Sequence, residues 1–482
     1  MKYPSSYITA FLLLCLLGVK SKCQSYHAFS GSPYAGVNAM YNNPASTVNS
    51  AFNWDVTLFS MQASIANTLF VIKNNSVTST NNSSLFITEG TQPRYFTNNL
   101  DINLLNFRIK IDHKSAFAIG MRLREYTNIV ARPFAYSDTI STLQGFLQAN
   151  NTTNYLDGSL THAGWAEFNF NYSRILVQKP AYYLSAGITL SYMKGLSGAF
   201  AQLSNVSYAD VQTNTGSYYN LLQAGATAEY SANYQVTNNN NTTAENVKTF
   251  IKGALPSIGV DIGAEYLFKD YSGADDEAVN ATNYDWKIGV SIMDIGRNKF
   301  NPIPGSFSIN TPNQNITDTA LQRQLQGVAN IQDVKDTLQK LFIGFDSLHN
   351  RFNISLPTRM VISVDRNFGS HFYVNGEASL NFYSTKQTGS LKTGELNLLT
   401  ITPRWETSAW GLYLPVQYNI QGLLWVGAAI KLGPLLVGVH NLDFIKWFKT
   451  GTQTYNGGGY ILLSVHPFEH KKEEDKLPCP KV

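Results

Sequence analysis

The sequence lacks the features of a disulfide-stapled domain, a helical membrane protein and a strongly charged nucleic-acid binder. Of its three cysteines, Cys15 and Cys23 lie in the N-terminal leader and Cys479 lies in the tail, so no internal disulfide framework is expected. Charged residues make up only 14% of the chain and its formal net charge is +4, which gives no indication of a nucleic-acid partner. After the leader there is no run of about 18 apolar residues that would predict a membrane-spanning helix.

Local catalytic signatures are also absent. The chain has no Gly-x-Ser-x-Gly and no His-Glu-x-x-His, and its eight histidines are scattered. Asp261, Glu265 and Asp294 form a candidate oxygen-ligand group for a divalent cation, but their spacing is not that of a calcium loop. We therefore predict no enzyme, no cofactor and no metal site. The enzymatic alternative is a lipid hydrolase whose site is assembled from distant strands.

The N-terminus has the layout of a secretory signal peptide over residues 1–23. Lys2 precedes an apolar run from Ile8 to Val19, which is short for a membrane-spanning helix, and polar residues lead from there to Cys23. A lipid-modified Cys23 is the alternative, but Lys-Ser-Lys stands before it instead of small apolar residues. We expect secretion and cleavage of the leader.

The most informative pattern is alternation of apolar and polar residues with a period of two. It runs from Leu105 to Asp112, turns over 112–115, and resumes from Phe117 to Leu123, which predicts an antiparallel hairpin. About fourteen such segments occur, most near the length that a tilted strand needs to cross a bilayer, and several end in aromatic residues. We predict an all-β fold, a transmembrane antiparallel β-barrel of about 14 strands over residues 51–468. A soluble β-sandwich with shorter strands is the alternative.

Barrel geometry assigns the connections to two sides, with short turns in the periplasm and long loops outside. Residues 112–115 and 177–181 are predicted periplasmic turns. The Asn-, Thr- and Ser-rich stretches 73–100, 128–160 and 195–217 are predicted extracellular loops. The stretch 231–250 breaks this alternation and leaves the strand count open by one hairpin. Residues 469–482 are predicted to form a charged periplasmic tail.

Residues 299–352 are predicted to form an insertion with a short amphipathic helix, because apolar residues recur there at helical spacing. These residues are Ile331, Val334, Leu338, Leu341, Phe342 and Phe345. We expect the stripe to pack on the barrel rim or inside its mouth. The alternative is a contact with a protein partner or with the membrane surface.

The polar faces of the predicted strands carry charges of both signs, which a barrel turns toward its lumen. We predict these lumen-facing charges: Arg108, Lys110, Arg122, Arg124, Glu167, Asp261, Glu265, Lys287, Asp294 and Glu377. They are expected to pair as the ionic filling of a plugged barrel, since an unpaired buried charge is costly. The alternative is that some of them line a solute path.

Several short stretches resemble known barrels. Residues 32–46, SPYAGVNAMYNNPAS, resemble the N-terminal segment of barrels distantly similar to the long-chain fatty acid transporters, and the pair 258–266 and 288–296 is similar to a strand pair of that group. Four further stretches resemble an uncharacterised outer-membrane barrel family typical of Bacteroidota: 356–359, 402–406, 410–415 and 432–435. The resemblance touches most of the mature chain and implies an outer-membrane barrel of about fourteen strands.

In the fatty acid transporter group the N-terminal segment enters the barrel and plugs it, so the resemblance implies that residues 24–50 do the same. Asn42, Asn43 and Pro44 are the predicted plug turn, because proline has no N–H and disfavours helix at the residue before it. The alternative is an ordinary lead-in turn at the periplasmic rim.

We therefore predict a protein of the outer membrane of a Gram-negative-type cell, in contact with its lipid bilayer. The resemblance implies a non-enzymatic conduit or binder for a hydrophobic or other small solute. The alternative is an outer-membrane scaffold or secretion-associated shuttle that binds proteins through the 299–352 insertion or the extracellular loops. A conduit needs an apolar pocket in the lumen, lined by residues such as Trp165, whereas a scaffold tolerates a packed lumen.

Overall fold

The protein was analysed as a computed structural model, which describes most of the chain. The described residues are 28–73, 84–151, 155–214, 216–231, 233, 242–270, 277–312, 316–326, 328, 331–383, 388–419, 423–441, 453–454 and 456–467. The predicted signal peptide 1–23 and the predicted tail 469–482, with Cys479, lie outside them.

The alternating segments form a single antiparallel sheet that closes on itself, because β1 pairs with β14 on one side and with β2 on the other. The predicted barrel of about 14 strands is confirmed, and several strands consist of more than one segment. The strands are β1 (Trp54–Asn67), β2 (Gly90–Asn103 and Asn106–Lys110), β3 (Ser115–Tyr136), β4 (Leu156–Gln178), β5 (Tyr182–Thr213), β6 (Gly216–Tyr230 and Leu255–Phe268), β7 (Trp286–Phe300 and Phe307–Pro312), β8 (Phe342–Ser347, Phe352–Ser355 and Arg359–Asn367), β9 (Phe372–Asn381), β10 (Leu398–Glu406), β11 (Trp410–Tyr413 and Val416–Asn419), β12 (Leu423–Val426 and Ala428–Leu432), β13 (Leu435–Val439) and β14 (Gly457–Val465).

The described chain also contains four α-helices and a small sheet that is separate from the barrel. The helices are α1 (Leu143–Ala149), α2 (Thr243–Lys252), α3 (Asp318–Leu325) and α4 (Ile331–Leu341). Threonine side chains cap the N-termini of the first three, which satisfies backbone N–H groups that have no partner within the helix. The small sheet comprises Phe70–Lys73, Ser84–Ile87 and Gln453–Thr454. Among the described residues, no helix is both long and apolar enough to cross a membrane.

The wall from β3 to β8 rises far above the other strands. β5 alone is 32 residues long, and its distal part pairs with the first segment of β6. The prediction of a loop over 195–217 is therefore wrong, and much of the predicted loops 73–100 and 128–160 is also strand. Alternation fades in these stretches because both faces are polar, yet backbone pairing continues.

The predicted insertion 299–352 contains its amphipathic helix, α4, but also strand segments at both ends. Phe307–Pro312 and Phe342–Ser347 pair with each other, and the former also pairs with β6. Val334, Leu338 and Leu341 of α4 pack on an apolar cluster of this upper wall. Phe342 and Phe345 belong to the following strand.

The outside of the lower barrel is apolar. Exposed side chains there include Ile188 and Leu190 on β5, Phe170 on β4 and Val290 on β7. At the end with the short turns, four exposed tryptophans stand near strand termini on the outer surface: Trp54, Trp286, Trp405 and Trp410. An apolar belt bounded by aromatic residues is the outer surface that a bilayer-spanning barrel requires.

Candidate functional site in the barrel lumen

The N-terminal segment, residues 28–50, lies inside the barrel. It forms two 3-10 turns, Gly36–Tyr41 and Pro44–Thr47, and the Asn43 side chain caps the second by accepting from the Ala45 N–H at 3.0 Å. The wall opposite the turn has glycines where a side chain would collide: a methyl group at Gly187 would strike the Pro44 backbone. The close approach of the segment therefore depends on small wall residues.

The three predicted turn residues all contact the wall. Asn42 donates to Glu377 at 2.8 Å, and Asn43 donates to the Ala264 carbonyl at 3.1 Å. The Pro44 carbonyl accepts from the Asn171 amide at 3.1 Å. Three separate strands, β9, β6 and β4, thus hold the turn in place.

Arg108 joins the N-terminal segment to the start of β1. Its Nε donates to Asp55 at 2.6 Å, and its other nitrogens donate to the carbonyls of Thr47 and Phe52 at 3.1 and 2.6 Å. Asp55 also accepts from the Val37 N–H at 2.6 Å. Both charged side chains are almost fully buried, so each depends on the other for compensation.

A second buried group surrounds Arg404. Its guanidinium donates to both oxygens of Asp365, at 2.6 and 2.8 Å, and to Glu406 at 2.6 Å. It also reaches the Gly31 carbonyl at 3.3 Å, to which Lys287 donates as well. Ser32 donates to Glu406 at 2.6 Å. The beginning of the N-terminal segment is fixed by this group.

Glu265 of β6 is bound by the end of the same segment. Ser46 donates to one carboxylate oxygen at 2.5 Å and Asn49 donates to the other at 2.6 Å. Both donors are neutral, so the segment stabilises this buried carboxylate with hydrogen bonds and not with an opposite charge. Lys110 is half-buried at the short-turn end of β2, on the polar face that it shares with Arg108.

Farther from the end with the short turns, Arg122 and Arg124 organise a larger network. Arg122 donates to Glu167 at 2.6 Å, and its guanidinium lies 4.4 Å from the ring centre of Tyr41. Burial raises the pKa of Tyr41 above its ordinary value, so this phenol stays neutral. The N-terminal segment therefore packs under the network through an aromatic ring.

Arg124 connects strands that are distant in sequence. It donates to Asp101 at 3.0 Å and pairs with Asp294. Asp261 accepts from the Asp294 N–H at 2.6 Å, whereas Glu265 is held separately by the N-terminal segment. The three acidic residues considered as cation ligands are thus divided between two different groups.

A loop after β9, residues 388–397, folds into the lumen from the end opposite the short turns; we call it the inward loop. Asn128 donates to the Gly394 carbonyl at 3.2 Å and accepts from its N–H at 2.8 Å. Asn381 donates to the Glu395 carbonyl at 2.7 Å. The Glu395 side chain is buried and accepts from Tyr126 at 2.8 Å.

Arg359 lies between the inward loop and the N-terminal segment. It pairs with Glu395 on one side and donates to the Tyr41 carbonyl at 3.3 Å on the other. A small cavity of about 80 Å³ lies here. Arg359 and Glu395 line it together with Tyr41, Asn42 and other residues of the N-terminal segment.

Trp165 does not line this cavity. It is fully buried in an apolar cluster with Met193, Phe300, Phe352 and Leu356, and its indole N–H donates to Glu167 at 3.0 Å. The cluster forms a layer between the charged network and the barrel mouth opposite the short turns. The apolar lumenal pocket that the conduit prediction required is therefore filled by side chains at this position.

Several charged residues of the lumen were missed by the sequence reasoning. They are Asp55, Asp101, Arg359, Asp365, Glu395, Arg404 and Glu406. All but Glu395 belong to strands, where the period-two alternation places them on the polar face and could have revealed them. Glu395 carries no such signal, because the inward loop lacks periodicity.

A comparison with models of protein families gives a match for this chain. Residues 44–440 match the family of unknown function DUF5723. The chain belongs to the DUF5723 family. A search of curated proteins found no match to it.

Solved structures similar to this DUF5723 chain include three bacterial barrels. A FadL homologue of Pseudomonas aeruginosa has 10% identity and a TM-score of 0.43, with 93% of this chain and 100% of that chain covered. The toluene transporter TodX of Pseudomonas putida has 10% identity and a TM-score of 0.41, covering 90% and 95%. The toluene transporter TbuX of Ralstonia pickettii has 9% identity and a TM-score of 0.40, covering 92% and 100%.

Proposed function

We propose that this DUF5723 protein is a non-enzymatic outer-membrane conduit for small polar solutes, closed at rest by two segments of its own chain. The N-terminal segment occupies the periplasmic part of the lumen and the inward loop occupies the extracellular part. The observation that carries the proposal is the position of Arg359, which binds both segments beside the cavity between them.

The outer surface supports the membrane location. The lower barrel carries exposed aliphatic residues around its circumference, and the tryptophan side chains stand at one boundary of that belt. In a closed sheet each strand pairs with a neighbour on both sides, so the backbone N–H and C=O groups have partners within the wall. This pairing is what allows strands to span a bilayer. The leader-like residues 1–23 are consistent with export across the inner membrane.

The lining of the cavity favours a small solute with hydrogen-bonding groups over a hydrophobic one. Arg122, Lys287, Arg359, Glu265 and Glu395 all contribute to it. Its volume of about 80 Å³ is below the roughly 150 Å³ of an apolar protein cavity that binds benzene. Because the two closing segments lie one after the other along the lumen, passage of a solute requires that both of them move.

A reversible tether tests whether the N-terminal segment is a gate. The Thr47 and Ser173 hydroxyl oxygens are 2.6 Å apart, one on the segment and one on β4, so the double variant T47C/S173C in a Cys479→Ser background should form a disulfide. We expect the oxidised protein in liposomes to exclude small sugars and amino acids. Reduction should restore the permeability of the untethered protein.

The matched control is T227C/S308C, which joins two strands of the upper wall whose hydroxyls are 3.1 Å apart. Oxidation of this control should leave permeability unchanged, because neither residue belongs to a closing segment. Equal permeability of oxidised and reduced T47C/S173C, with complete disulfide formation, would show that solutes do not pass where the N-terminal segment lies. A tethered protein that still transports therefore contradicts the proposal.

A protein-binding scaffold is the second candidate, and the tall extracellular wall favours it. Ile343 and Leu222 on that wall are 71% and 57% exposed, although the α4 stripe itself is largely packed. Native mass spectrometry of protein extracted from its own membrane separates the two functions. A stoichiometric protein partner without solute flux in liposomes supports the scaffold.

A further inference from the structure

Helix α2 interrupts the barrel wall between the two segments of β6. Thr242 and Glu245 form a reciprocal capping box at its N-terminus, so the helix begins in a well-defined way. Val247, Phe250 and Ile251 follow at helical spacing and form one apolar stripe. The Val247 and Ile251 side chains are 51% and 43% exposed, and Phe250 between them is half-buried, so the stripe is exposed along its Val247 and Ile251 side.

The C-terminal end of α2 is fixed on the wall. The buried Asn233 side chain donates to the Phe250 carbonyl at 2.9 Å. Next to it, the Ser231 N–H donates to the Gly198 carbonyl of β5 at 2.7 Å, and Leu255 pairs with Gly195 of β5. The chain therefore leaves and rejoins the wall within the short stretch 195–198 of β5.

This stretch lies at the outer boundary of the apolar belt. On β5 the large apolar side chains of Tyr182, Ile188, Leu190 and Tyr192 are exposed, and the next exposed one, Leu203, comes eleven residues later. About ten tilted residues span the hydrocarbon layer of a bilayer. Tyr192 pairs with Phe168 and with Ile258, both of which are exposed. Gly195 follows shortly after Tyr192 along the strand, so the wall is interrupted where the headgroup layer begins.

The lumen offers no room for α2 at this height. A methyl group at Gly195 or Gly198 would lie 2.8 or 2.6 Å from the ring of Phe300, which fills the inner side of the wall there. Phe352 and Leu356 pack against that ring in the apolar layer of the lumen. The helix must therefore lie on the outer side of the wall, in continuity with the lipid-facing belt.

Basic residues surround the same place. Arg297 and Lys299 are exposed on β7, opposite in phase to the buried Asn298 and Phe300. Lys248 and Lys252 lie on α2, outside the apolar stripe. Within the described ranges, none of these four cations forms an ion pair with a carboxylate.

We propose that α2 lies flat in the outer headgroup layer of the membrane, with its apolar stripe in the acyl chains and the four cations on phosphate-bearing lipid headgroups. An amphipathic helix with basic residues beside its apolar face binds anionic membrane surfaces in this way. The inference rests on the membrane location in the proposed function. It adds a lipid-binding site at the discontinuity of the wall, where β6 is interrupted.

Depth-dependent fluorescence tests the position of the stripe. In a Cys479→Ser background, Ile251→Cys is labelled with a polarity-sensitive dye, and Thr249→Cys, an exposed position on the opposite side of the same helix, is the matched control. The full-length protein is reconstituted in phosphatidylcholine vesicles with phosphatidylglycerol. We expect the dye at 251 to emit as in an apolar environment and to be quenched by lipid-borne spin labels, and the dye at 249 to do neither.

Two results would overturn the inference. An aqueous emission at 251 in vesicles shows that the stripe does not enter the bilayer, and an apolar emission that lipid-borne labels fail to quench shows a protein contact instead. Heat-modifiable gel migration and vesicle flotation verify that the barrel is folded and inserted. A labelled protein that does not enter vesicles at all contradicts the proposed membrane function, so the two failures are distinguishable.

The cations are tested separately by retention of anionic lipid. Each of K248A, K252A, R297A and K299A should lower the apparent affinity for phosphatidylglycerol in nanodiscs about fivefold, as expected for loss of one charge near an anionic surface. K114A removes an exposed lysine from the opposite, periplasmic end and should have no effect on this site. Equal loss in K114A and the four variants would mean that net charge, and not this site, attracts the lipid.

Discussion

The two segments that lie in the lumen differ in what holds them. The N-terminal segment is bound to buried ion pairs, those of Arg108 with Asp55 and of Arg404 with Asp365 and Glu406. The inward loop is bound mainly by neutral amide contacts from Asn128 and Asn381, and by one carboxylate, Glu395, which pairs with Arg359 and Arg124. Loss of one partner from a buried ion pair costs more than loss of a neutral hydrogen bond. The difference implies that the inward loop is released more easily than the N-terminal segment.

The largest effect is expected for Arg404→Met. The substitution leaves Asp365 and Glu406 buried with their main cation removed, which costs on the order of 3–5 kcal/mol. We expect the folded barrel to convert to its heat-denatured gel form at a clearly lower temperature, and the N-terminal segment to become accessible to protease.

Arg366→Met is the matched control for this prediction. Arg366 pairs with Asp285 at 3.5 Å in a partly exposed position, so its loss should change stability little. Equal gel-shift temperatures for Arg404→Met and the wild type would mean that the Arg404 group does not anchor the N-terminal segment.

Arg359→Met tests a residue that binds both segments of the lumen. Glu395 retains Tyr126 and Arg124, so the cost should be smaller, about 1.5–3 kcal/mol for charged hydrogen bonds. We compare the increase in liposome permeability relative to the loss of stability in the two variants. This ratio should be larger for Arg359→Met than for Arg404→Met, because Arg359→Met loosens both segments at their contact.

Arg359→Lys should restore part of the closure, since the ammonium retains the charge but cannot bridge two acceptors in the same planar geometry. Permeability of Arg359→Met equal to that of the wild type would show that the two segments close independently. In that case the two segments still differ in what holds them, but Arg359 does not couple one to the other.

Gly187→Ala disturbs only the N-terminal segment. The added methyl group would strike the Pro44 backbone, and overpacking of this kind costs about 1–3 kcal/mol. We expect faster labelling of a cysteine at position 47 and a modest increase in permeability. Gly376→Ala is the control, because its nearest neighbour atom would be 3.9 Å away, and labelling rates that agree between the two variants would contradict the close approach.

The strands of the barrel wall could be predicted from the sequence better than the contacts inside the lumen. Alternation indicated the strands and the polar face, since both follow from the two-residue period of a strand. Asp294 faces the lumen for a different reason: its φ of 58° accompanies an irregular register between β6 and β7, and bulges of this kind redirect side chains. Its partner Arg124 is 170 residues away, a separation that no local pattern encodes.

The inward loop was the least predictable element. Residues 388–397 have neither the two-residue nor the helical period, so no sequence pattern places them in the lumen. Their position depends on side chains of β3 and β9, namely Asn128 and Asn381, that bind loop backbone. The high walls were missed for a related reason, because strands outside a bilayer need no apolar face.

The smallest effect is expected for Asn128→Ala, which removes the paired hydrogen bonds to Gly394 and leaves its buried backbone groups unsatisfied. The cost should be roughly 1–2 kcal/mol and should be confined to the inward loop. Hydrogen exchange of residues 388–397 should accelerate, while exchange of the N-terminal segment stays as in the wild type. Asn128→Asp keeps the acceptor for the Gly394 N–H and should lose less protection. If both segments lose protection together in Asn128→Ala, then Arg359 transmits release of the loop to the N-terminal segment, and the two closures form one cooperative unit.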